Sequence, residues 1–287
     1  MRNVVLFDFN NLAIRNYFVR DVEAVTGNPN IQLWKYLVFS DVYNFFPPAN
    51  DVVLAIDSRT SWRKLYCSRY KESRRPKRDA SKIDWEQYFV AFDHYIYELR
   101  QYLPFKVLQI STAEADDIIA TLCMSLGETV TIHSTDEDFL QLCSDNTKVY
   151  NPKKGEFVSA DCSSETFIVK KCLTGQPKDD IFNILTPLDW PVGKRKPGFG
   201  EVSAKKVMAE GYEKWLKLKG LEERFKVNRV LIDFNRIPGV VRKVILKTYK
   251  EYTLPDPGKM FTFFKKNKFK GYMENFTTVE SKLLELY

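Results

Sequence analysis

Short apolar runs, each closed by a polar break, punctuate the first half of the chain. VVLFDF (4–9), DVVLAID (51–57), KVLQI (106–110) and TVTIH (129–133) are rich in β-branched residues, as strands buried on both faces are. Between them lie helical patterns, clearest in WEQYFVAFDHYIYELRQYL (85–103) and AEADDIIATLCMSLG (113–127), the second stopped at Gly127. Strands alternating with helices of this length predict an α/β core with a mostly parallel central sheet flanked by helices. Beyond residue 160 the strands fade. SSETFIVKKCLTG (163–175) predicts a helix, TPLDWPVGKRKPGFGE (186–201) a Pro/Gly/Lys loop, and SAKKVMAEGYEKWLKLKGLEERF opens a mainly helical C-terminal half. The expected organisation is a core over 1–180 and a helical part over 181–287.

The ends of these strands carry acids. VVLFD ends on Asp8 and VVLAID on Asp57; KVLQIST runs into Glu114, Asp116 and Asp117, and TVTIHST into Asp136 and Asp138. In open parallel sheets, ligands gather outside the carboxyl ends of the strands, so four separate elements would bring acids to one rim. A structural alternative exists for several of them. Ser111-x-x-Glu114 has the form of a capping box, and Asp136 and Asp138 suit the start of a helix. Capping explains neither Asp8 nor Asp57. Carboxylates crowded on one rim raise one another's pKa unless a cation compensates them. Hard oxygen donors without His or Cys select Mg²⁺ or Mn²⁺. Two ions are the natural occupants, and paired ions clamp the attacking and leaving oxygens of an in-line phosphoryl displacement.

Composition narrows the partners. The 287 residues are 44% hydrophobic and 14% aromatic, which suits a globular fold. No apolar run reaches the ~18 residues of a membrane span, and the N-terminus lacks a signal-peptide pattern. Five cysteines without a C-x-x-C pair are expected as reduced thiols in a cytoplasmic protein, and two histidines leave few candidates for a Ser-His or Cys-His mechanism. The formal charge is +7, and its distribution says more than its size. RTSWRKLYCSRYKESRRPKRDASK, from Arg59 to Lys82, contains only Glu72 and Asp79 as acids. So dense a block of one sign calls for a polyanion. A phosphodiesterase acting on nucleic acid satisfies both the acids and the bases.

Taken in order, VVLFDFNNLAIR, VLAIDSRTSWRKLYCSRYK, EADDIIA, STDEDF and the later KDD (178–180) resemble the 5′ nuclease (flap endonuclease) superfamily. The likeness extends to WEQYF (85–89), NRVLIDFNRIP (228–238) and LPDPGKMFTFF (254–264), and so to nearly the whole chain. It implies a PIN-like α/β fold with a basic helical arch over about 58–84. It also implies a C-terminal helical, duplex-binding part with a helix–three-turn–helix-like element. By that resemblance Asp8, Asp57, Glu114, Asp116 or Asp117, and Asp136 surround a first metal, while Asp138 and Asp179 serve a second. Gln176 stands where the family's Gly-Asp-x-x-Asp has its first acid, so Asp179 carries that role with Asp180 beside it. Arg63 and Lys71 match arch residues that contact the scissile phosphate. Their spacing puts them on one helix face if the segment is helical, with Arg59 four residues earlier. Trp62, Tyr66 and Tyr70 form an adjacent stripe expected to pack. Gly198 and Gly200 resemble the tight turn before a basic helix, whose amides, with Lys205 and Lys206, hold duplex phosphates.

The implied activity is a Mg²⁺-dependent 5′→3′ nuclease using two ions, with Mn²⁺ able to substitute. It would be an exonuclease or flap endonuclease with ribonuclease H-type action on DNA or RNA–DNA duplexes bearing a free 5′ end or flap. Removal of RNA primers in DNA replication follows, by a monomer, beside a single-stranded-DNA-binding protein and a sliding clamp, in the host cytoplasm if the chain is phage-encoded. Two rivals are a non-catalytic nucleic-acid-binding module, which would gain nothing from the acids, and a haloacid-dehalogenase-type phosphatase. The latter needs a second Asp where Asn10 stands. His133 is expected as a buried, hydrogen-bonded strand residue, His94 at the surface, and KKNKFK (265–270) as a solvated face.

Overall fold

The structure, a computed structural model, describes residues 3–18, 30–45, 51–81, 83–191 and 194–287. Lys82, which ends the basic block, and residues 192–193 of the Pro/Gly/Lys loop lie outside the described residues. Six strands form one sheet: β1 (Asn3–Asp8), β2 (Asp51–Ile56), β3 (Lys106–Gln109), β4 (Thr129–His133), β5 (Thr147–Asn151) and β6 (Glu156–Val158), in the order β3-β2-β1-β4-β5-β6. All pairings are parallel except β5 with β6. The helices in chain order are α1 (Phe9–Tyr17), α2 (Ile31–Phe45), α3 (Arg74–Asp79), α4 (Trp85–Tyr102), α5 (Ala115–Ser125) and α6 (Ser164–Thr174). Then come α7 (Glu201–Ala209), α8 (Tyr212–Lys219), α9 (Glu222–Ile232), α10 (Gly239–Lys250), α11 (Met260–Lys266), α12 (Lys270–Glu274) and α13 (Phe276–Leu284). Among the described residues no helix is long and apolar enough to cross a membrane.

The four apolar runs are strands, and β2 is buried along its whole length. Two further strands, β5 and β6, were not legible. β5 reads TKVYN and alternates buried with more exposed positions, as suits a strand near the sheet edge. Gly155, with φ 73°, lies in the turn between them.

The chain forms two compact units, and they do not follow a boundary at residue 180. The first comprises Met1–Thr60, Asp84–Ser159 and Gly239–Tyr287; the second comprises Ser61–Ile83 and Ala160–Pro238. Specific contacts explain why the last fifty residues join the sheet unit. Lys106 Nζ pairs with Asp51 Oδ1 at 2.8 Å, and the Tyr249 hydroxyl of α10 donates to Asp51 Oδ2 at 2.5 Å. Lys35 of α2 is buried, pairing with Glu98 of α4 at 2.7 Å and donating to Asn267 Oδ1 at 3.2 Å. Phe39 meets Phe263, Phe264 and Phe269 at ring distances of 5.2–6.1 Å. Asn267 and Phe269 are therefore buried members of a segment expected as a solvated face, whose lysines remain exposed.

In the second unit the basic segment joins an apolar cluster formed by α6, α7, α8 and α9, through Cys67 and Tyr70. Arg63 Nε donates to the Leu231 carbonyl at 2.9 Å. The Pro/Gly/Lys loop is anchored at its start, where Arg224 donates to the Thr186 and Phe182 carbonyls at 3.0 and 2.9 Å.

Candidate active site

Parallel strand order reverses at β1, which has β2 on one side and β4 on the other. Ligands of doubly wound sheets bind at such a switch point, and Asp8 ends β1 there. Asp8 as a residue is 94% buried. Oδ1 accepts the Asn11 amide at 3.2 Å, and Oδ2 accepts the Ser134 hydroxyl at 2.8 Å. Ser134 Oγ in turn accepts the Asp136 amide at 3.0 Å. One hydroxyl thus links the acid after β1 to the acid after β4.

Asp57 follows β2. Its amide donates to Asn10 Oδ1 and its Oδ1 accepts the Ala115 amide, both at 2.8 Å, tying it to the first turn of α5. Glu114 is the N-cap of α5, in a capping box with Asp117 rather than with Ser111. Asp117 is fully buried, and its Oδ2 accepts the Glu114 amide at 2.8 Å. Asp116, in the same turn, is partly exposed. Asp136 caps a 3₁₀ turn over Glu137–Leu142, its Oδ1 accepting the buried Asp138's amide at 2.9 Å. The capping alternative therefore describes Asp136 here, and one oxygen of its carboxylate is used in doing so.

Burial, together with the Asp57 and then the Asp136 charges, pushes the Asp8 carboxyl up to about 7 against the pull of the Ser134 and Asn11 hydrogen bonds. Asp8, Asp57 and Asp136 thus share one electrostatic environment. Among the described residues, no group of three or more His, Cys, Asp or Glu side chains is arranged to hold a metal ion as it stands. Local amides and hydroxyls occupy the carboxylate oxygens described above. The donors are nonetheless all oxygen, and the raised Asp8 pKa marks a place where added positive charge is favourable; the chemistry of the set fits a hard divalent cation. Asn10, Asn11 and Ser134 were missed by sequence reasoning. Their signal was position: each lies within three residues of a strand-end acid.

Asp179 belongs to the second unit and is buried. Its Oδ1 is 2.5 Å from an Arg74 guanidinium nitrogen, and its carbonyl accepts the Lys71 amide at 3.0 Å. Asp180, in the left-handed region at φ 58°, accepts the Ser73 amide at 2.8 Å. Gly175, at φ 73°, brings the chain so close to Ile181–Asn183 that a Cβ would lie 2.4 Å from the Ile181 carbonyl oxygen.

The basic segment is not one continuous helix, the condition on which Arg63 and Lys71 would share a face. It is a 3₁₀ turn over Trp62–Leu65, then turns, then α3, with Lys71 at φ 56°. Arg63 and Lys71 therefore do not share a helix face, and Arg63 is only 2% exposed, its guanidinium 4.6 Å from the Trp62 ring centroid. The backbone bends because Arg63 and Tyr70 are drawn into the unit's interior. Trp62 and Tyr70 pack as expected, whereas Tyr66 is exposed. Arg59, of the first unit, pairs with Asp93 at 3.2 Å on the surface. Gly198 and Gly200 are exposed, Gly200 is the N-cap of α7, and Lys205 and Lys206 are exposed on that helix. His133 is buried among Phe7, Phe45 and Tyr150, but its Nδ1 has no hydrogen-bond partner among the described residues. His94 is exposed and the five cysteines are free.

The comparisons follow the same lines. A family model for the 5′-3′ exonuclease N-terminal resolvase-like domain matches residues 3–170, and one for the T4 RNase H C-terminal part matches 162–278. Ribonuclease H of Enterobacteria phage T4 is 31% identical over 283 residues, covering 92% of this chain and 91% of that protein. A 5′-3′ exonuclease of Aquifex aeolicus is 28% identical over 162 residues, covering 54% of this chain and 53% of that one. Among solved structures, the T5 D15 protein co-crystallized with metal ions superposes with a TM-score of 0.65 at 20% identity, over 87% of this chain and 98% of that one. The bacteriophage T5 D15 flap endonuclease complex with DNA and metal ions gives 0.63 at 18% identity, over 87% and 100%. At these identities the structural likeness is one of fold. The two family models and the phage T4 relative together place this chain in the 5′-3′ exonuclease family, with a C-terminal part of the T4 RNase H type.

Proposed function

We propose that the chain is a divalent-metal-dependent 5′→3′ nuclease that hydrolyses phosphodiesters of DNA or RNA–DNA duplexes at a free 5′ end or flap. The observation that carries this reading is the buried Asp8 carboxyl at the sheet's switch point, pushed up to about 7 by burial and by Asp57. A site that raises the pKa of its own acid disfavours negative charge until a cation arrives.

Asp8, Asp57, Glu114, Asp116 and Asp136 would hold the ion, with Asp138 adding a further carboxylate. Bound there, divalent ions supply a hydroxide-like nucleophile at neutral pH and offset charge on the phosphate. The protein's own share is orientation. Ser134 fixes one Asp8 oxygen and the Asp136 backbone; the α5 N-terminus fixes Asp57. Lys71 and Arg59 offer positive charge to the phosphate backbone, and the Gly198–Gly200 turn with Lys205 and Lys206 offers amides and ammonium groups to duplex phosphates. Asp179 is the second unit's carboxylate for a further ion. The phage T4 relative is named a ribonuclease H, which supports RNA–DNA hybrids among the substrates and primer removal as the biological setting. A monomer using Mg²⁺, or Mn²⁺ in its place, completes the reading, with a single-stranded-DNA-binding protein and a sliding clamp as partners.

The test is purified protein on 5′-labelled flap, nicked and hybrid substrates, with Mg²⁺ or with chelator. Short 5′ products only in Mg²⁺ support the proposal. Release of inorganic phosphate alone would indicate the phosphatase, and binding without products the passive module.

A further inference from the structure

The Pro/Gly/Lys loop ahead of its Gly198–Gly200 turn is left idle by the proposed chemistry. In the second unit it forms, with the basic segment, a cleft of about 490 Å³, within the roughly 300–1,000 Å³ of small-molecule sites. Its walls are of two kinds. Pro76, Phe182 and Trp190 present flat apolar surface, while Arg69, Lys77, Lys194 and Lys196 supply four cations against the acids Glu72 and Asp180. One of those acids is already engaged, since Asp180 accepts the Ser73 amide at 2.8 Å.

The walls are built rather than incidental. An Arg69 guanidinium nitrogen donates to the Trp190 carbonyl, bracing the loop against the basic segment. The Trp190 indole donates to the Lys194 carbonyl at 3.4 Å, which settles the ring within its own loop. Lys196 Nζ stands 3.8 Å from the Phe182 ring centroid. Trp190 and Phe182 are both partly exposed, so ring surface remains open to a ligand.

We propose that this cleft takes one unstacked nucleotide of a single-stranded nucleic acid, its base on Trp190 and Phe182 and its phosphate among Arg69, Lys77, Lys194 and Lys196. Aromatic faces beside cations bind single strands with little sequence preference, because every base has a π-face and every nucleotide a phosphate. The indole N–H is spent on Lys194, so it reads no base edge. The site rests on the nuclease reading and sharpens it: it would give the enzyme a hold on the unpaired strand of a flap, beyond its hold on the duplex.

The full chain is assayed in chelator, so that nothing is cleaved, against two duplexes that differ only in a 5′ oligo-dT or oligo-U flap. Trp190→Ala should lower the ratio of flap to flap-less affinity by about tenfold, as expected for losing one stacked base, and Trp190→Phe should restore most of it. A 5-bromouracil placed in the flap should cross-link, in the unaltered protein, to the peptide carrying Trp190 or to that carrying Phe182. An unchanged ratio in folded Trp190→Ala, or cross-links confined to other peptides, overturns the subsite. Wild-type protein that binds both duplexes equally also overturns it while leaving the nuclease reading intact; binding to neither removes both. DNA and RNA flaps are separate arms, and either one bound in the cleft supports the proposal.

Discussion

Arg74 and Asp179 meet at 2.5 Å, joining the basic segment to the loop after α6. The same loop takes the Lys71 amide on the Asp179 carbonyl and the Ser73 amide on Asp180. Three bonds within four residues latch residues 71–74. The ion pair is half-exposed on the arginine side, so it contributes about 1 kcal/mol at most. Asp179→Asn should therefore raise the open population of this segment roughly fivefold. The readout is the rate of limited trypsin cleavage within 69–79, in chelator. An unchanged rate would show that the backbone bonds alone hold the segment.

Lys71 occupies the left-handed region at φ 56°, where glycine is favoured. Lys71→Ala should slow single-turnover cleavage by about tenfold or more if, as proposed, its ammonium group offsets charge on the phosphate. Lys71→Gly should lose as much rate while gaining up to about 1 kcal/mol of stability from relieved backbone strain. If glycine restores the rate, conformation rather than the ammonium group is what matters there.

Asp8 gives the metal-free protein a characteristic pH profile. Its folded pKa of about 7 lies above the ordinary 3.8, so the folded state keeps a proton that the unfolded chain has released. Metal-free stability should fall as pH rises from about 4 to about 7. The gain in thermal midpoint on adding Mg²⁺ should accordingly be larger at pH 8 than at pH 6, because a cation and that proton compete. Asp8→Asn should stabilise the metal-free protein at pH 8 and abolish the Mg²⁺ response. A Mg²⁺ shift equal at both pH values would contradict this.

His133 acts in the opposite sense. Burial, aided by the Arg15 charge, lowers it to about 4, so below its ordinary 6.5 only the unfolded chain takes up a proton. It withdraws stability as pH falls from about 6.5 to about 4, and His133→Phe should remove that loss. Urea unfolding at pH 7 and pH 4.5 should show the variant gaining on wild type by roughly 2 kcal/mol. Parallel profiles would show the imidazole to be charged or solvated in the fold.

Much of the first unit was legible because β1 and β2 are buried almost throughout, and β3 and β4 in part, so that all four read as short β-branched apolar runs. The acids at their tips were legible for the same reason: a carboxylate at the end of such a run has no role in the core. β5 and β6 escaped because an edge hairpin alternates polar with apolar residues. Asp117 was legible only as one of a pair with Asp116, since both capping and the rim use acids in a first helical turn. The structure separates their surroundings, burying Asp117 on the Glu114 amide. The bend of the basic segment was not legible at all. It depends on Arg63 reaching Leu231 and on Tyr70 joining the α6–α9 cluster, contacts between residues about a hundred or more positions apart. A periodicity argument sees local spacing only.

Polyanion binding has its own signature. If Lys205, Lys206 and the basic segment neutralise phosphates, the logarithm of affinity for duplex should fall linearly with the logarithm of salt concentration. Lys205→Ala with Lys206→Ala should reduce that slope by roughly 2. A flat salt response would contradict nucleic-acid binding by this chain.

The most direct measurement concerns the acid that Ser134 links to Asp8. Single-turnover cleavage of a 5′-labelled RNA–DNA hybrid is compared between wild type and Asp136→Asn in Mg²⁺, with hybrid binding measured in parallel. Binding should stay within a few-fold of wild type, with no detectable short 5′ products from the variant. Full turnover by Asp136→Asn would contradict this.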